Sequence, residues 1–256
     1  MESSFLVDLS LANYAAILGA SLVASLIAGL GGFGGGFIVV IALEPIIGAK
    51  AVIPLVAVFA FFSNVSRVYF YRKYIQWKIA IQLILSSLPG VWVGSEVFVQ
   101  LPERLLLLLL GISLIVLLPL RRYLRYKNFT PGLFTIICIG LLFGFVSGTS
   151  VGSGLFVIAG LASSGVEGMA LMGTDALIGT VNAVSRGLAY YLHGALPPEL
   201  ILGGCLMSIG TMPGTWAASK VVHRIGTKNH TYLIEAIILI GGYRFLYEAL
   251  TSPVQP

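Results

Sequence analysis

Long apolar runs dominate the chain, at about 11–28, 51–71, 75–95, 105–120, 131–147, 170–192, 198–217 and 231–250. A helix needs about 20 apolar residues to cross the hydrocarbon core of a bilayer. The runs therefore predict eight long membrane helices. Two shorter apolar stretches, at about 33–47 and 151–163, each follow a glycine cluster. They are too short to cross comfortably and are expected as broken or re-entrant segments. The pattern predicts an all-α integral membrane protein.

The pattern also repeats. Pro89-Gly90-Val91-Trp92-Val93-Gly94-Ser95 is matched by Pro213-Gly214-Thr215-Trp216-Ala217-Ala218-Ser219, with Pro, Gly, Trp and Ser in register. The chain holds only three tryptophans, so two in register argue against chance. Upstream, Asn64-Val65-Ser66-Arg67 resembles Asn182-Ala183-Val184-Ser185-Arg186, and each Arg is followed four residues later by a Tyr, Tyr71 or Tyr190. Further upstream, Gly34-Gly35-Gly36 aligns with Gly152-Ser153-Gly154. Three motifs in the same order predict two homologous repeats of about four helices each, opened by the glycine-rich segments. The expected organisation is a first repeat over 1–120, a basic linker over 121–130 and a second repeat over 131–256.

Composition agrees with a bilayer as solvent. Hydrophobic residues make up 57% and charged residues 10%, against about 25% charged in a soluble domain. Too few polar residues remain to cover a water-soluble surface, and no room remains for a large aqueous domain such as a nucleotide-driven motor. The net charge of +5 comes from scattered Lys and Arg, not from a basic arm. It suggests basic cytoplasmic loops and no nucleic-acid partner. Cys138 and Cys205 lie in apolar runs and read as small apolar fillers. His223 and His230 fall in a polar loop, and the three histidines lack metal-ligand spacing. No cofactor, metal or enzyme motif is expected. The start, MESSFLVDLSLANY, is acidic and lacks the positive region of a signal peptide. It is read as leading into a retained first membrane segment.

Taken in order, GLGGFGGGFIVV, the basic loop YRKYIQWK, LPGVWVGS and LPERLLLLLLGI, with the pattern recurring in the second half, resemble the TauE/SafE-type sulfite exporter family. The resemblance covers nearly the whole chain. It implies a secondary membrane carrier for sulfite, organosulfonates or related small organic anions. A hydrophobic helical chain without a transit-like start suggests a bacterial or archaeal inner membrane. Export driven by the proton or charge gradient is the expected mode. A carrier for small carboxylates or other anions, or a structural membrane subunit, is the rival reading. The expected partners are a small anion, the lipid bilayer and a second copy of the chain.

The candidate substrate residues are Gly34, Gly35, Gly36, Asn64, Arg67, Gly152, Ser153, Gly154, Asn182 and Arg186. Glycine-rich backbone is a poor helix, and a helix starting after it offers free N–H groups and a positive dipole end to an anion. The same clusters would also suit close helix packing. A large residue at Gly35 or Ser153 is expected to block passage by bulk while leaving expression intact. Asn64 with Arg67, and Asn182 with Arg186, share a helix face, and a guanidinium fork suits an oxyanion. All four are expected to supply donors. Either Arg could instead snorkel to the headgroups; Arg67, close to Arg72 and Lys73, is expected to be the more solvated.

Asp175, after Gly173 and Thr174, reads first as a helix N-cap and second as a proton carrier. His193 reads as an interfacial histidine, with a proton switch as the alternative. Trp92 and Trp216 read as packing or interface anchors. Basic residues concentrate in 72–78, 121–127 and 219–228, and all three loops are expected on the cytoplasmic side, which makes the repeats inverted.

Overall fold

The computed structural model describes residues 11–31, 35–126, 132–151, 153–222, 239–240 and 242–251. The N-terminal start, Gly34, Gly152, the end of the linker and the loop carrying His223, Arg224, Lys228 and His230 lie outside the described residues. So do residues 231–238 and 241 of the last apolar run.

The described chain is helical throughout. The order is α1 (Leu11–Gly31), α2 (Gly35–Ile47), α3 (Ala49–Tyr71), α4 (Trp77–Gln100), α5 (Glu103–Tyr126), α6 (Leu133–Thr149), α7 (Gly154–Ser163), α8 (Gly168–Leu192), α9 (Pro198–Ser208) and α10 (Thr211–Val222). Residues 242–251 are helical as well. Each glycine cluster interrupts a helix, between Gly31 and Gly35 and between Thr149 and Gly154. The helices that follow are short. α2 has 13 residues and α7 has 10. At about 1.5 Å per residue neither spans the ~30 Å hydrocarbon core.

Three stretches among the described residues are long and apolar enough to cross a bilayer: Ala49–Tyr74, Trp77–Gln100 and Pro198–Lys220. Ile17–Gly29 and Leu133–Thr149 are apolar as well but shorter. The run at 198–217 is not one unbroken helix. It turns at Ile209 and Gly210, dividing α9 from α10. Trp77, Leu85, Val93, Leu188, Leu192 and Ile209 are exposed on the outside of the bundle. An apolar exterior of that extent is a liability in water and ordinary against lipid.

The helices pack through their small residues. α4 lies along α6, with Ser87, Gly90 and Gly94 facing Gly140, Gly144 and Gly148. A Cβ on Gly90 would fall 2.7 Å from the Phe145 nitrogen, and one on Gly148 would fall 2.6 Å from the Ser95 nitrogen. Positions rise together along this pair, so the two helices run parallel. α1 and α10 pack the same way, Gly214 against Leu22 and Ser25, Gly29 against Thr215 and Ala218. The PGxW motif is therefore a helix-contact motif: its Gly faces a neighbouring backbone, and Trp92 and Trp216 point outward, exposed.

α3 and α8 meet in the opposite sense. Tyr71 contacts Gly173, Arg67 meets Asp175 and Asn64 abuts Gly179. The order is reversed, so this pair is antiparallel. Phe37, Val39, Val40 and Leu43 of α2 fill the core against Ile53, Val56 and Phe59 of α3 and Leu106 and Leu110 of α5.

Candidate functional site

The ends of α1 and α6 leave carbonyls that no helix amide can satisfy. Arginines reach them from the crossing helices. Arg67 Nη1 donates to the Ala28 carbonyl at 3.3 Å, 39 residues back. Arg186 Nη1 donates to the Ser147 carbonyl at 2.9 Å, also 39 residues back. It reaches the Ser150 carbonyl at 3.5 Å. Tyr190 adds a 2.6 Å bond to the Gly148 carbonyl. Each guanidinium is held where a helix breaks, next to the start of the following short helix.

These groups enclose a cavity of about 120 Å³. Gly35, Gly36, Asn64 and Arg67 line it from the first half of the chain, and Ser153, Gly154, Asp175, Asn182 and Arg186 from the second. A water needs about 10–15 Å³ of such space, so a small oxyanion fits with several waters. Gly34 and Gly152 lie outside the described residues. Sequence reasoning missed Ser63, Ser147, Phe37, Phe59 and Phe143, which also line it. Ser63 carried a signal: it sits one turn before Arg67, on the same helix face.

Four expectations are corrected. Arg67 is not the solvated member of the pair. It is 2% exposed, because α8 covers it, and it pairs with the Asp175 carboxylate at 2.5 Å. Asp175 is not an N-cap. α8 starts at Gly168, two turns earlier, with Glu167 at the cap position. Gly173 instead packs on the end of α3, and the Thr174 hydroxyl accepts from the Gln76 amide at 3.0 Å, where α4 starts.

Asn182 does not offer donors to the cavity. Its Nδ2 donates to the Ile178 carbonyl at 3.0 Å and to Ser87 Oγ at 3.0 Å. Nor is Gly35 open to a large side chain. A Cβ there would sit 2.7 Å from the Ala24 carbonyl oxygen and 3.0 Å from Ala28 Cβ, so bulk at this position collides with α1.

His193 is not at the cavity. It ends α8, with Nδ1 at 2.7 Å from the Ala189 carbonyl and Nε2 at 2.5 Å from Glu96.

The electrostatic balance is uneven. The Arg67 charge is met by Asp175, whereas no described carboxylate pairs with Arg186. Arg186 is 5% exposed, and its Nε has no partner among the described residues. A guanidinium held only by carbonyls has no counter-charge beside it and attracts an anion. No group of three or more metal-ligating side chains occurs among the described residues.

The profile of the sulfite exporter TauE/SafE family matches residues 17–245. No curated protein and no solved structure matches the chain. The matched span takes in every helix described above except the start of α1 and the end of the last. The chain belongs to the sulfite exporter TauE/SafE family, a family of membrane transporters and not of enzymes.

Proposed function

We propose that the protein is a secondary carrier that exports sulfite or an organosulfonate, with the anion held in the cavity between the starts of α2 and α7. The observation that carries this reading is the meeting of site residues from both halves around one uncompensated guanidinium, Arg186. An anion leaving water loses several kcal/mol of hydration. One helix terminus returns about 0.3–2 kcal/mol and one charge-assisted hydrogen bond about 1.5–3. Two helix starts acting with Arg186 are of the required size.

Two repeats, 1–120 and 131–256 about the linker 121–130, are the organisation we favour. The equal 39-residue reach of Arg67 and Arg186 supports it. So does the likeness of the α4–α6 and α1–α10 contacts. The equivalent helices α3 and α8 run antiparallel, which favours an inverted repeat with its axis in the membrane plane. We place the protein in a bacterial or archaeal inner membrane, driven by the proton or charge gradient. Asp175, buried against Arg67, is the candidate proton carrier; His193, away from the cavity, has less claim.

Counterflow of labelled sulfite into proteoliposomes of the purified chain tests the reading. Uptake that is abolished by excess unlabelled sulfite, and not by acetate, is the expected result. Exchange of acetate with no exchange of sulfite would move the assignment to carboxylates.

A further inference from the structure

We infer that Asn182 selects the substrate, its carbonyl oxygen accepting a hydrogen bond from a donor carried on a singly charged oxyanion. The inference rests on the carrier reading of the same cavity and narrows its substrate class.

The orientation of the amide is fixed by its partners. The Ile178 carbonyl can only accept, so the group at 3.0 Å from it is Nδ2. Ser87 Oγ spends its proton on the Ile84 carbonyl at 2.9 Å, so it too accepts from Nδ2. The amide nitrogen is used up, and Oδ1 is the remaining polar atom. Oδ1 is buried and has no partner among the described residues. Asn182 is 1% exposed and lines the cavity beside Arg186, one turn along α8. A buried acceptor without a donor is costly, and a fully deprotonated, donor-free anion would leave that cost in place and add repulsion.

The charge of the cavity gives the second half of the inference. Arg67 is neutralised by Asp175, which leaves the single charge of Arg186 among the described lining residues. A monoanion balances it; a dianion would carry an uncompensated charge into a low-dielectric site. Hydrogen sulfite and hydroxy-substituted sulfonates have both properties. Fully ionised sulfite and sulfate have neither.

The test uses two competitors of matched shape against labelled sulfite counterflow in proteoliposomes. 2-Hydroxyethanesulfonate carries a hydroxyl donor, and propane-1-sulfonate puts a methyl in its place. In the wild-type chain the hydroxyl compound should compete about tenfold better or more. In Asn182→Leu the two should compete within about twofold. Equal competition in the wild type overturns the inference, as does failure of both sulfonates to compete while sulfite still exchanges. The wild-type comparison decides the matter even if the variant does not fold. Absence of sulfite exchange in the wild type would instead remove the carrier reading on which the inference stands.

Discussion

Arg67 on α3 and Asp175 on α8 meet at 2.5 Å with side chains 3% and 8% exposed. They are 108 residues apart in sequence, and their ion pair fastens the two helices at the wall of the cavity. Arg186, on α8, has only carbonyl partners among the described residues. On the carrier reading proposed above, the two arginines divide the work, Arg67 toward holding the fold and Arg186 toward holding an anion.

Asp175→Ala leaves the Arg67 guanidinium buried without its carboxylate, which costs about 3–5 kcal/mol. A clear fall in the thermal midpoint in detergent is expected. The double substitution Arg67→Met with Asp175→Leu removes both charges and should recover most of the loss. A midpoint for Asp175→Ala equal to wild type would show that the pair contributes nothing.

Arg186→Ala should weaken sulfite binding by about tenfold to 100-fold, the worth of a charge-assisted hydrogen bond. Arg186→Lys restores the charge without the planar fork and should rescue in part. Titration of binding on folded protein checks both. Wild-type affinity in Arg186→Ala would send the search for the site to the helix-start amides alone.

Gly144→Val puts side-chain atoms against the Ser87 backbone, where a Cβ alone already falls 2.8 Å from the Ser87 carbonyl carbon. The protein should fail to accumulate as a monodisperse species in detergent. Gly35→Leu should fail in the same way, through its collision with α1. Trp92→Phe, on the exposed side of α4, should behave as wild type in the same chromatographic assay.

Antiparallel α3 and α8, each followed by a short turn into the next helix, bring the ends 72–76 and 219–222 to one side. With Cys138 and Cys205 replaced, Gly226→Cys should resist an impermeant thiol reagent added outside intact cells. Labelling after lysis only is the expected outcome. Labelling from outside would mean parallel repeats.

Much of this was readable from the residues alone. The glycine clusters marked the breaks before Gly35 and Gly154, because glycine is both a poor helix former and a mark of close approach. The recurring Asn/Arg pairs marked the cavity wall, because an arginine in an apolar run needs a reason to be there. What escaped was whatever depends on which helix lies opposite. Asp175 read as a cap because Gly173 and Thr174 look like a helix start; their partners, Tyr71 and Gln76, are about a hundred residues away. Arg67 read as solvated because its neighbours in sequence are charged, while its neighbour in space is α8. Asn182 read as a donor because residue type does not tell which end of an amide is already taken.

The small-residue faces have one more consequence. α4 finds its close partner in α6 and α1 finds its partner in α10, so each tight seam joins the first half of the chain to the second. The halves are woven through one another and do not stand side by side. A polypeptide cut between α5 and α6 would yield two fragments, each displaying an open furrow shaped for a helix it does not possess. Neither fragment should persist alone, and co-expression of both should reassemble the carrier.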